Sequence, residues 1–176
     1  TRSSLKKSNK SNVCLLSPFI SPKDNNQFIV SNISFDKPII YSPYPLNEII
    51  ISKNDKELWR AKGQSISERI EGIIEWPTSP LKPNQKYLIT ITPIGVEPGV
   101  GAKINLHTSP KESFIQLDSL INSLGKNKTK WINTIDKNLK QDKNLAFALL
   151  FSKKIPNARV LIEAKNKLIS IEGCNQ

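Results

Sequence analysis

Eleven of the twelve prolines fall at or before Pro110, and only Pro156 follows it. That asymmetry constrains the 176-residue chain more than any other feature. Proline fixes φ at about −65° and donates no backbone hydrogen bond. The text before Pro110 is therefore cut into short pieces, while the text after it is free to run as helix. Residue types change at the same place. β-branched residues dominate before Pro110, and Gly125 and Gly173 are the only glycines after it. Strands first and helices second, rather than alternating, make an α+β chain. The expected organisation is a disordered basic tail over residues 1–12, an antiparallel immunoglobulin-like β-sandwich over 13–108 and a basic helical segment over 109–176.

Candidate strands are residues 14–19, 27–35, 38–41, 47–52, 57–62, 65–76, 86–93 and 103–107. In Tyr87-Leu88-Ile89-Thr90-Ile91-Thr92 the tyrosine and isoleucines share one face, and Leu88 and the threonines share the other. The same alternation points Trp59 and Tyr87 inward and Leu58 and Leu88 outward. Lys53-Asn54-Asp55-Lys56 predicts a hairpin with a four-residue loop. Short strands with turns at this spacing are the pattern of an immunoglobulin-like sandwich. The Cys…Trp…Cys signature is missing, so the sandwich is expected to lack the internal disulfide.

Beyond Pro110 the apolar period becomes helical. Ser109-Pro110-Lys111-Glu112 reads as a capping box for a helix carrying Phe114, Leu117, Ile121 and Leu124, ended by Gly125. Thr129 is expected to cap a second helix, with Ile132, Ile135 and Leu139, and Asp142 a third, with Leu145, Ala146, Leu149 and Leu150. Pro156 is expected to open a fourth, with Val160, Leu161, Ala164 and Leu168, ended by Gly173. Helices three and four read as an antiparallel helical hairpin resembling one tetratricopeptide-type unit. About three such units are needed to stand alone, so the hairpin must pack on the sandwich, on the first helices or on a partner.

The net charge of +11 is unevenly placed. Residues 1–23 carry five basic side chains and no acid, 24–110 nine of each sign, and 111–176 twelve basic against six acidic. Lys126, Lys128, Lys130, Lys153, Lys154 and Arg159 are candidate polyanion-binding residues, with Trp131 placed to stack on a base or ring. Lysine outnumbers arginine, which suits phosphate contact better than base readout. The plainer reading of the excess is a solvated helix face. Signs of catalysis are weak. His107 stands alone and is expected to be half-exposed, and Glu68, Glu71 and Glu75 read as the solvated face of a strand. Pro98-Gly99-Val100-Gly101-Ala102-Lys103 lacks the Gly-Lys-Ser/Thr of a phosphate loop and reads as a turn. No enzyme, cofactor or metal site is expected. No apolar run reaches the roughly 18 residues of a membrane helix.

Cys14 and Cys174 flank the folded region. By spacing alone they are either a bridge closing a long loop or two free thiols. The chain opens at Thr1 and contains no Met, so a signal peptide, an anchor or a cloning boundary is expected upstream. Cys14-Leu15-Leu16-Ser17-Pro18, then Glu57-Leu58-Trp59, Ile74-Glu75-Trp76-Pro77 and Pro80-Leu81-Lys82-Pro83-Asn84-Gln85-Lys86-Tyr87 carry a resemblance. Over roughly residues 13–174 this order resembles an uncharacterised family of exported cyanobacterial proteins with an immunoglobulin-like domain and a helical end. Asn84 stands where that family usually has Gly, which fits a turn requiring positive φ. The resemblance implies export to the periplasm or cell surface, and an oxidising compartment that permits a Cys14–Cys174 bridge. It implies no catalytic residues. The expected function is therefore a non-catalytic extracytoplasmic module meeting a protein or envelope partner. The alternative is binding of nucleic acid, acidic glycan or anionic lipid.

Overall fold

Every strand precedes every helix, and the two classes keep to separate regions of the molecule. The computed structural model describes residues 14–17, 19–20, 27–97 and 101–169. The tail 1–12 and Cys174 lie outside them, and so do the side chain of Cys14 and residues 98–100 of the Pro98–Lys103 turn. The strands are β1 (Cys14–Ser17), β2 (Phe19–Ile20), β3 (Gln27–Ile33), β4 (Ile39–Lys53), β5 (Lys56–Lys62), β6 (Ile70–Ile74), β7 (Lys86–Pro93) and β8 (Ala102–Thr108). The helices are α1 (Lys111–Leu124), α2 (Lys128–Gln141), α3 (Lys143–Leu150) and α4 (Arg159–Ile169). The chain is α+β, as expected.

The strands join in the order β2-β1-β4-β7-β8-β3, with β5 and β6 also paired to β4. The sheet is mixed, not wholly antiparallel, because β3 and β8 run parallel from Gln27↔Lys103 to Ile33↔Thr108. No tight turn links these two strands, so nothing forces them antiparallel. β4 merges two of the expected strands into fifteen residues. Pro43 and Pro45 cannot donate to a ladder, and pairing with β6 slips there, between Ser42↔Gly72 and Leu46↔Ile70. The N-terminal half of β4 also pairs with β1, and its C-terminal half with β5 and β7. The β4–β5 loop is two residues, not four: Asn54 and Asp55 both take positive φ, at 50° and 60°. That is the mirror-image turn that matches strand twist. The long strand expected over 65–76 is shorter, with a 3-10 turn at Ile66–Glu68 before β6.

The inward face follows the alternation, while on the other face of β7 Thr90 and Thr92 are buried as well and Leu88 is half-buried. Ile49, Ile51, Tyr87, Ile89, Ile91, Ile104 and Leu106 are buried in one core with Ile33, Ile40, Trp76 and Leu81. Trp59 packs against that core while Leu58 is exposed. A second core joins the helices, with Leu124, Trp131, Ile135, Phe147, Leu149, Leu150 and Leu161 buried together. α3 is buried over Ala146–Leu150. A helix apolar all round needs neighbours on every side, and α3 has them in α2, β1 and β2. The closest helix pair is thus α2–α3 rather than the expected α3–α4 hairpin, and α4 joins the cluster through Leu161 and Ala164.

The caps differ from expectation in informative ways. Asp142 does cap α3, accepting from Leu145 N at 3.1 Å, and Gly125 does end α1, at φ 52°. α2 is capped by Asn127, which accepts from Lys130 N at 3.1 Å, rather than by Thr129. α4 begins at Arg159, with Ala158 O accepting from Leu161 and Ile162, so Pro156 lies in the preceding turn. Ser109 makes no capping box, because its backbone is taken by the sheet: Ser109 N donates to Ile33 O at 2.8 Å and Ser109 O accepts from Asn84 N at 3.0 Å. Beside it, Thr108 Oγ1 donates to Lys82 O at 2.6 Å and accepts from Gln85 N at 2.8 Å. Asn84 turns this corner at φ 54°, as its position requires. The junction fixes where α1 leaves the sheet.

Candidate functional site

The seam between sheet and helices encloses two adjoining clefts. Ser34 and Phe35, from the β3–β4 link, meet Leu117 of α1 and Ala148 of α3 in both. The smaller, about 470 Å3, runs past Ser31 and Asn32 towards Asp142 and Asn144. The larger, about 530 Å3, runs the other way. Its apolar wall takes Ile39, Ile73 and Trp76 from the sheet, Phe114 and Ile121 from α1, and Phe151 from the end of α3.

Local structure holds these side chains in place. Trp76 donates its Nε1–H to Ser79 O at 3.0 Å and stands edge-on to Tyr87, ring centres 6.4 Å apart. Phe151 and Ile39 both pack around Tyr41, together with Ile169 at the end of α4. Phe114 and Leu117 are placed by the angle at which Thr108–Ser109 release α1.

The rim is charged. Asp36, Lys37 and Glu75 stand on the sheet side, and Asp118, Lys153, Lys154 and Lys165 on the helix side. Lys154 Nζ donates to Asn122 Oδ1 at 2.8 Å, tying the α3–α4 turn to α1. Lys165 Nζ lies 5.2 Å from the centre of the Phe151 ring, within cation–π range. The ion pairs Arg60–Glu48, Arg60–Glu57, Arg69–Glu71 and Arg159–Glu163 engage none of these lysines.

The polyanion candidates therefore divide. Lys153 and Lys154 line the larger cleft. Lys126, Lys128 and Lys130 are exposed around the α1–α2 turn. Arg159 is paired to Glu163 at 2.7 Å. Trp131 is a correction: it is fully buried in the helical core, its Nε1–H donated to Gly125 O at 2.9 Å, so its faces are closed to a base or sugar ring. Lys128 and Lys130, just before it in sequence, point it at solvent only if the helical period is ignored. His107 is half-buried in β8, and Glu68, Glu71 and Glu75 are exposed, as expected.

Sequence reasoning missed the cleft itself. Phe35, Trp76, Phe114 and Phe151 come from four separate segments, and no local spacing announces their convergence. Lys165 stood in the sequence only as one of many basic residues. The side chains of Cys14 and Cys174 lie outside the described residues, so the expected bridge has no geometry to report. Among the described residues no group of three or more His, Cys, Asp or Glu is placed to hold a metal ion, and no helix is long and apolar enough to cross a membrane. Comparison with known proteins finds no matching family model and no matching curated protein.

Proposed function

We propose that the chain is a non-catalytic extracytoplasmic module, an immunoglobulin-like sandwich with a helical appendage, that associates with the cell envelope through the larger cleft on the sheet–helix seam. The carrying observation is the cleft: about 530 Å3, aromatic-walled and rimmed by lysines. Ligand sites commonly span about 300–1,000 Å3 with mostly apolar walls and a few convergent polar groups. The sandwich reading is supported by β4, whose two halves keep different neighbours on either side of a proline-marked irregularity. Strands that pass between two packed layers do so at such bends. Export rests on the family resemblance. It predicts a Cys14–Cys174 bridge, read as the mass of two hydrogens gained on reduction.

Cosedimentation with isolated cell envelopes tests the function. Ile73 is 43% exposed on β6 and lines the cleft, so Ile73→Asp places a carboxylate there without opening the core. The wild-type chain is expected to pellet with envelopes and the variant to stay in solution. Equal pelleting of the two would remove the cleft from the function.

Polyanion binding remains the second reading. It is favoured by Lys126, Lys128 and Lys130, exposed around the start of α2 with no acid in that helix's first turn. It predicts affinity for an anionic polymer that falls steeply with salt and drops when those three lysines become glutamine.

A further inference from the structure

The larger cleft joins an apolar wall to an uneven rim charge, net positive on the helix side and net negative on the sheet side. Lys153 and Lys154 at the α3–α4 turn and Lys165 on α4 outnumber Asp118 of α1 at its basic end, and the described residues give these ammoniums no carboxylate within ion-pairing distance. Two of the three are already positioned. Asn122 holds Lys154 by its Nζ, and the Phe151 ring lies under the Nζ of Lys165. An ammonium held against an aromatic wall is partly stripped of water. A charge there attracts an anion more strongly than a freely solvated lysine would. Away from this end the balance reverses, with Asp36 and Glu75 against Lys37 on the sheet side. A second anionic group on the ligand would meet those carboxylates.

We propose that this cleft binds a single-chain amphiphile with one anionic head: a carboxylate or phosphate at Lys153, Lys154 and Lys165, and an acyl or aromatic body against Phe151, Ile39 and Trp76. The inference rests on the reading of this cleft as the binding site and adds the ligand class. The volume suits one chain. The apolar wall contributes affinity through the area it removes from water, while the lysines fix which end enters. A polyanion is disfavoured here, because the charge that attracts its first phosphate lies opposite charge that repels its next.

Titration calorimetry of the full chain with dodecanoate and with dodecyl phosphate, both below micelle formation, tests this. Dodecyl maltoside is the neutral control. One-to-one binding of at least one anionic probe is expected, and the preferred probe identifies the head. The surface variant Lys153→Gln/Lys154→Gln/Lys165→Gln should weaken it by about tenfold or more, as expected for loss of charge-assisted contacts, with an unchanged circular dichroism spectrum. Ile73→Asp should abolish it. The proposal is overturned if neither anionic probe binds, if the neutral probe binds as tightly, or if the triple variant binds like wild type. Envelope cosedimentation separates this failure from that of the function. Cleft-dependent pelleting without amphiphile binding keeps the function and rejects the ligand class. Amphiphile binding without pelleting does the reverse.

Discussion

Thr92 and Thr108 are both buried threonines at the ends of neighbouring strands, and they do opposite things with their hydroxyls. Thr108 Oγ1 satisfies the 82–85 turn and anchors the start of the helical segment. Thr92 Oγ1 is fully buried and has no partner among the described residues, nor does Glu48 Oε1 on the residue opposite it in β4. Thr108→Val should therefore cost about 1–3 kcal/mol, because it orphans buried backbone groups, whereas Thr92→Val should be neutral or slightly stabilising. Urea midpoints of the two variants check the contrast. Glu48 itself is kept by Arg60, whose Nη1 donates to Oε2 at 2.6 Å while Nε and Nη2 fork onto Glu57. Arg60→Met should lower the urea midpoint, and adding Glu48→Leu should recover most of the loss, since the penalty comes from an uncompensated buried carboxylate. The hydrogen bond from Arg60, then its charge, holds the Glu57 carboxyl below its ordinary value. Its contribution is thus complete above the ordinary carboxylate range and is lost as pH falls through the lowered folded value. Glu57→Gln should flatten that acid limb of the stability–pH curve. The same contacts raise Arg60, so its share persists until strong alkali.

At the scale of elements, the caps distinguish what local sequence can say from what the fold decides. Asn127→Ala and Asp142→Ala should each cost about 1 kcal/mol, and Thr129→Ala little, as thermal unfolding of the three variants would show. Asp142 was legible because its side chain serves its own helix. Asn127 and Thr129 are two residues apart in an equally polar stretch, so composition could not choose between them. In β7 the inward face was legible, Tyr87, Ile89 and Ile91 being buried as their period requires, but the other face was not: Thr90 and Thr92 are buried too, because neighbours cover both sides of the strand. Ser109 was misread because a non-local demand won. β3 and the 84–85 turn claim its backbone, and Pro110 is left as the cap without a side-chain bond. The β3–β8 pairing and the merger of two strands into β4 were equally illegible, since both depend on partners far away in sequence. Trp131 shows the cost of weighing neighbours in sequence over neighbours on a helix face. Lys128 and Lys130 stand just before it in sequence, yet Ile135, four residues on, shares its burial.

Across the whole molecule there are two apolar cores, one in the sheet and one among the helices, and the question is whether they stand apart. Three features argue that the helices depend on the sheet. α3 is buried on five successive residues, more than a helix packed on α2 and α4 alone would need, and its further neighbours are β1 and β2. Phe151 and Ile169 pack on Tyr41 of β4. The Thr108–Ser109 junction ties the start of α1 to backbone groups of β3 and the 82–85 turn. A fragment comprising residues 109–176 would expose the sheet-facing side of α3 and lose all three. Short helices are marginal in water without tertiary packing. The fragment should therefore show well below the helicity per residue of the same segment in the full chain, and the full chain should unfold in a single transition. Circular dichroism at matched concentration measures the first, and coincidence of tryptophan fluorescence with far-ultraviolet melting curves measures the second. Tryptophans in both cores make the comparison informative: Trp59 and Trp76 report on the sheet and Trp131 on the helices. A stably helical fragment, or two separated transitions, would show that the helical segment folds alone. The seam would then be an interface between two independent units, free to open, and the cleft along it would owe its shape to docking rather than to a shared fold.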